Sequence, residues 1–185
     1  MGGARLKAWC LSVLVLLAAS APPGANCEAN GEYQVKAAFL FHFSQFVEWP
    51  PEAFKDQSTP LTYCTIGEDP FEGALEVIVK GKSVGNHALQ VQHLKGREQV
   101  AGCHILFIGA GEKKHLLEDL SSTAGRSVLT VGETEHFAQQ GGVIGFLIEN
   151  DKVRFEINVQ TAGKAKLKIS SRLLLLAKSV IGSET

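Results

Sequence analysis

Within the stretch 61-LTYCTIGEDPFEGALEVIV-79 the residue pattern changes from strand to helix. Leu61–Gly67 is a short apolar run with β-branched and aromatic side chains, the pattern of a buried strand. Asp69 then offers an oxygen to free helix amides, and Pro70, with φ already near the helical value, suits the first helical position. The helix that opens there runs to about Val79. Strands alternating with helices define the α/β class, so the flanking segments decide the fold.

The alternation continues on both sides. Upstream, Tyr33–Trp49 is a helix stopped by Pro50-Pro51. Downstream, Ala88–Lys95 alternates as a strand does, and His104–Gly109 is a second buried-type strand. Lys113–Leu120 reads as a helix, Ser127–Gly132 as a strand, and Glu133–Gln140 as a short helix closed by Gly141-Gly142. Val143–Glu149 and Lys152–Asn158 follow, joined by Asn150-Asp151, a two-residue loop suited to a tight hairpin. A helical tail extends to about Val180, with breaks expected near Gly163 and Ser170. The expected fold is α/β: one doubly wound domain with a mostly parallel sheet, an antiparallel edge hairpin and helices on both faces. No repeat or low-complexity tract interrupts the sequence.

The first helix contains 39-FLFHFSQFVEWP-50, with five aromatic side chains and one histidine in twelve residues. Phe39, Leu40, Phe43, Phe46 and Val47 form one apolar stripe about 100° wide at 3.6 residues per turn. They are expected to pack on the sheet rather than stack on a cofactor. Phe41 projects from the opposite face with Ser44, Gln45 and Glu48, and is a candidate partner contact. His42 and Trp49 share a flank and are expected as rim packing.

The chain of 185 residues is 45% hydrophobic and 20% charged, with formal net charge −1, which excludes a basic nucleic-acid-binding field. Arg5 and Lys7 precede the apolar run Ala8–Ala19, and small residues and prolines follow. That order is a secretory signal, and the run is short for a membrane span. The signal is expected over residues 1–29, with cleavage between 21 and 29, and the domain over 30–185. The mature chain is expected to be soluble and exported. Cys10 lies in the signal and Cys27 near its end, so Cys64 and Cys103 remain. In an oxidising compartment an isolated pair is most simply a disulfide.

Several enzymatic signatures fail. Gly81-Lys82-Ser83 resembles the end of a phosphate-binding loop, but Glu76 stands where that loop needs glycine. Gly109-Ala110-Gly111 follows a strand, yet Lys114 replaces the third glycine of a dinucleotide fingerprint. No G-x-S-x-G elbow occurs, and the six histidines form no H-x-x-x-H or H-E-x-x-H pair. Asp69 ends a strand, where catalytic acids sit in α/β sheets, but reads better as a helix cap. No catalytic residue, cofactor or metal is expected.

The stretches 35-VKAAFLFHFSQFVEWP-50, 65-TIGEDPF-71, 103-CHILFIG-109, 128-VLTVGE-133, 136-HFAQQGGVIGF-146 and 154-RFEINVQTAGKAKLKISSRLLLLAK-178 occur in this order over nearly all of the mature chain. In these the chain resembles the YfiR family of small exported proteins, whose best-known members restrain a membrane-bound diguanylate cyclase. The resemblance implies a periplasmic α/β protein, homodimeric, that docks on the exposed part of an inner-membrane diguanylate cyclase or other sensor protein and lowers cyclic di-GMP. It also implies regulation through cysteine redox state. Cys64 and Cys103 match one disulfide of the family pattern, but the second pair of some members is absent, since no cysteine lies beyond position 103.

For docking, Arg154, Glu156 and Asn158 alternate with the core residues Val153, Phe155 and Ile157, and so are expected to face outward on an edge hairpin. Lys168 and Ser171, with Ser170 and Arg172, precede a leucine run and form a second polar candidate, although either serine could simply cap a helix. The competing function is a single-lobe binding protein, or a regulator with a small-molecule effector held at the carboxyl ends of the strands.

Overall fold

A computed structural model describes residues 25–182, with side chains from Gly31 onward. The expected signal run and the cleavage site after Ala21 lie outside the described residues, while a cut after Ala29 falls inside the first helix. That helix, α1 (Ala25–Phe46), runs into a two-residue strand, β1 (Val47–Glu48), and ends before Pro50. The chain continues through β2 (Leu61–Ile66), α2 (Ala74–Val79), β3 (Ser83–Val84), β4 (His87–Leu94), β5 (Ile105–Ile108), α3 (Leu116–Ser122) and β6 (Leu129–Gly132). It closes with β7 (Ile144–Glu149), β8 (Lys152–Asn158), α4 (Val159–Lys164), β9 (Lys168–Ile169), α5 (Ser171–Leu176) and β10 (Ser179–Ile181). Among the described residues, no helix is long and apolar enough to cross a membrane.

Eight strands form the main sheet in the order β10-β8-β7-β6-β5-β2-β4-β3. β4, β2, β5, β6 and β7 are mutually parallel, whereas β7/β8 and β3/β4 are antiparallel. From β2 the chain steps to β4 on one side, then returns to β5 on the other, which makes the sheet doubly wound. The turn between β7 and β8 has Asn150 and Asp151 at φ 50° and 58°, as a two-residue hairpin loop requires.

Four local expectations are corrected. The hairpin is not the sheet edge, because β10 pairs in parallel with β8, Ser179 opposite Glu156 and Ile181 opposite Asn158. The tail is not a broken helix but α4, β9, α5 and β10 in succession. Residues 133–140 form turns rather than a helix: His136 takes φ 57°, and the segment folds Phe137 back over Gly132 and Gly142, where a methyl at either glycine would collide with the ring. Asp69 accepts the Phe71 amide at 3.1 Å in a local turn, but α2 starts later, at Ala74, after a left-handed Gly73.

Side chains alternate across the sheet, so the core has two layers. On one face Leu61, Tyr63, Ile105, Phe107, Leu129 and Val131 meet α1 and α2. Within this layer, Phe43 lies 5.7 Å from Phe146 and 5.1 Å from Phe155 by ring centroids. The buried side of α1 is rotated from the expected stripe: Leu40, Phe43 and Val47 are buried, but Phe39 and Phe46 only partly so. Ser44, expected outside, is 0% exposed. Its hydroxyl bonds the Tyr63 phenol at 2.7 Å, and burial pushes that phenol up to about 12.

On the other face Cys64, Ile66, Leu106 and Ile108 meet Val100, Cys103, Leu116 and Phe137. Cys64 and Cys103 are joined as a disulfide, their Cα atoms 5.8 Å apart. The bond ties β2 to the 3₁₀ turn Arg97–Gly102 that leads into β5. That turn is held again by Arg97, whose Nε donates to Asp119 Oδ1 at 2.6 Å. Burial raises the Asp119 carboxyl above its ordinary range, and Arg97 opposes the rise. At the amino end of the sheet, His104 accepts the Thr62 amide at Nδ1 (3.1 Å) and donates from Nε2 to the Ala53 carbonyl (3.1 Å). Acceptance at Nδ1 requires a neutral ring, and burial lowers its pKa below the usual value near 6.5.

Candidate functional site

The reversal of strand order between β2 and β5 opens a crevice beyond their carboxyl ends, the usual ligand position in such sheets. A cleft of about 450 Å³ lies there, lined by Tyr33, Glu68, Pro70, Gly111, Glu112 and Glu133 among others. β6 delivers Glu133 to its wall, because the strand ends at Gly132. Glu133 Oε1 accepts the Ala110 amide at 2.9 Å and the Tyr33 phenol at 3.1 Å, while Oε2 pairs with Lys36 Nζ. Lys36 also pairs with Glu32, one helical turn away, and lies 4.5 Å from the Tyr33 ring centroid.

Lys36 and Glu133 side chains are only 4% and 6% exposed, so each needs its partner to remain charged. Burial, reinforced by the Glu133 charge, drives the Tyr33 phenol well above its ordinary range. The group therefore latches α1 across the carboxyl ends of β5 and β6. Its donors and acceptors are engaged with one another, an arrangement that walls a cleft rather than activates a nucleophile.

The docking candidates separate in space. Phe155 and Ile157 join the α1 face, so Arg154 and Glu156 turn to the opposite one. Arg154 is exposed and lies 4.0 Å from Glu149, which also pairs with Lys178 at 2.7 Å. Glu156 is half-buried and accepts Gln139 Nε2 at 2.8 Å. Asn158 does not face outward. It is 8% exposed, donates to the Ala138 carbonyl at 2.9 Å and caps α4 by accepting the Thr161 amide. The turn segment 134–140 returns over this end of β8 and covers it, which strand alternation alone does not reveal.

Phe41 is half-buried beneath Lys82, whose Nζ lies 4.2 Å from the ring centroid. Lys168 is exposed in β9, opposite Glu48. Ser170, not Ser171, caps α5, accepting the Arg172 amide, which leaves Ser171 exposed. Ile169 and Leu173 anchor this region to the α1 face, so Lys168 and Ser171 share no surface with Arg154 and Glu156.

Sequence reading overlooked Glu133, Lys36 and Tyr33. A lysine inside an apolar helix face and a glutamate ending a buried strand were the available signals, because each implies a buried charge that must find a partner.

Fold and crevice define a single-lobe α/β domain with a cleft at the carboxyl ends of its strands. The sequence pattern of the YfiR/HmsC-like family matches residues 33–178, and the chain belongs to that family. No curated protein matches the sequence. Solved structures share the fold at low identity. The ABC domain in complex with L-Trp from Streptococcus pneumoniae has 10% identity and a TM-score of 0.52, over 81% of this chain and 60% of that one. A conserved domain protein from Vibrio cholerae O1 biovar El Tor has 7% identity and a TM-score of 0.56, over 80% of this chain and 60% of its own length. This chain thus spans about three-fifths of each.

Proposed function

We propose that this chain is an exported regulatory binding protein that docks on the periplasmic sensor region of an inner-membrane diguanylate cyclase, lowering cyclic di-GMP and biofilm formation. Family membership over residues 33–178 carries this reading. The docking surface is the face of β8 that bears Arg154 and Glu156, flanked by Glu149 and Lys178. Charges of both signs at fixed positions favour one partner and orientation over others. Asn158 is removed from this surface by its burial; Phe41, beside Lys82, and the Lys168–Ser171 segment are separate secondary candidates.

Two measurements test the reading. Deleting the gene in a strain that keeps the partner cyclase raises cyclic di-GMP and reduces motility; unchanged nucleotide levels would overturn it. Purified protein binds the isolated sensor region, and Glu156→Lys weakens binding without lowering the melting temperature. Sedimentation of the same sample reads the proposed homodimer as twice the mass of one chain.

The cleft of about 450 Å³ favours a second reading, in which a small polar effector or ligand sits against Tyr33 and the 109–112 turn. Native mass spectrometry with extracted metabolites checks it, a discrete mass increment lost in Gly111→Trp being the expected result.

A further inference from the structure

Beside the cleft, three side chains from three separate elements converge. Asp69 comes from the turn after β2, Glu76 from the first turn of α2 and His93 from the end of β4. Each offers one ligand atom, and these atoms lie within 4.8 Å of one another. His93 Nε2 is 2.7 Å from Glu76 Oε1, and Nδ1 is 4.0 Å from Asp69 Oδ2. The ring is held from behind by Thr65, whose buried hydroxyl lies 2.8 Å from Nδ1. Asp69 is also held, its Oδ1 accepting the Phe71 amide.

One atom in this group lacks a partner. Glu76 Oε2 is buried and accepts no hydrogen bond, although the side chain as a whole is 40% exposed. With Asp69 Oδ1 held by the Phe71 amide, Asp69 Oδ2 and the Glu76 carboxylate are the acceptors beside the imidazole. One imidazole with two carboxylates suits zinc and similar transition ions, whereas calcium and magnesium prefer oxygen alone. Ligands about 2.1 Å from a tetrahedral zinc stand roughly 3.4 Å apart, so side-chain adjustments of about 1 Å would close the present spacing.

We propose that Asp69, Glu76 and His93 form a binding site for a divalent transition metal, with zinc the best chemical match. A Thr65–imidazole contact orienting the ring is the kind of outer support that metal-bound histidines have. Three protein ligands leave a fourth position for water or a donor from outside. The ion would clamp the 67–73 segment and α2 to β4. Glu68 and Pro70, on either side of Asp69, line the neighbouring cleft, so metal occupancy would also set the position of that wall. This proposal stands apart from the docking reading.

The test is calorimetric titration of the full chain, its purification tag removed, with zinc chloride. One ion per chain is expected, with a higher melting temperature and, for cobalt chloride, visible absorption bands of a four-coordinate site. His93→Gln and Glu76→Gln, on different elements, should each weaken binding at least tenfold, while His136→Gln, an exposed histidine elsewhere, should not change it. Absence of one-to-one binding, or equal affinity in both ligand variants and the parent, would overturn the site.

Discussion

The two faces of the sheet are stabilised by different means. On the α1 face six buried aromatic rings (Phe43, Tyr63, Phe71, Phe107, Phe146 and Phe155) interlock with aliphatic side chains. On the opposite face, among the described residues, Phe137 is the sole phenyl ring of the buried cluster, over a smaller set of aliphatic residues. That thinner layer instead carries the Cys64–Cys103 disulfide and the Arg97–Asp119 pair. Where a layer buries little apolar area, a covalent link or a partly buried charge pair can hold short irregular segments that a helix would otherwise fix. The thick face is thus a packing problem and the thin face a tethering problem.

Removing one ring should expose this difference most strongly. Phe43→Ala is expected to cost about 3–5 kcal/mol, because its cavity opens among rings that cannot collapse together. Urea unfolding measures it; a loss below about 1 kcal/mol would deny the thick face its role. Next comes the tether. Replacing Cys64 and Cys103 together by Ala should cost about 3–4 kcal/mol on loop-closure grounds for a 39-residue separation. Hydrogen exchange should show the loss concentrated in residues 97–103 and β5, leaving α1 protected. Uniform loss of protection would mean that the disulfide supports the whole domain rather than one face.

Asp119→Asn should cost less, about 1–2 kcal/mol, because Arg97 remains one-third exposed and water replaces part of the lost attraction. A smaller, graded effect belongs to His104, at the sheet's amino end. Its folded pKa is lowered, so the stability it contributes is present above the ordinary value near 6.5 and is lost as pH falls below it. Thermal midpoints should therefore decline from pH 7.5 to pH 5.5, and His104→Asn should flatten that decline. Smallest is Glu156→Lys, on the uncovered part of the thin side, expected to change folding stability by about 0.5 kcal/mol or less. A larger loss would make the Gln139–Glu156 contact structural and weaken its candidacy for docking.

The order of the core strands β2, β4, β5, β6, β7 and β8 was legible because it follows from local period. Leu61–Ile66 and Ile105–Ile108 announce themselves as buried strands, and Asn150-Asp151 suits a tight hairpin turn, whereas α1 ends at Phe46, ahead of the Pro50-Pro51 stop. The Cys64–Cys103 pair was equally legible, since the signal expected over residues 1–29 would set Cys10 and Cys27 aside and leave only these two. The reading of 133–140 as a helix failed because Gly141-Gly142 was taken as its closing signal, whereas Gly132 and Gly142 make room for Phe137.

The sequence by itself determined the class of fold, the identity of the core strands and the alternation that separates the two faces. These depend on neighbours a few residues apart, where side-chain direction is set by backbone geometry. Only the tertiary structure decided which polar groups meet water. Ser44 is buried because Tyr63 lies opposite it, and Asn158 because residues 134–140 return over β8. Glu133 gains Lys36 from a helix 97 residues away, and Asp69, Glu76 and His93 converge from three elements. Burial and ligation depend on which distant segment packs against a given face, and that is decided only when the whole sheet closes around its two cores.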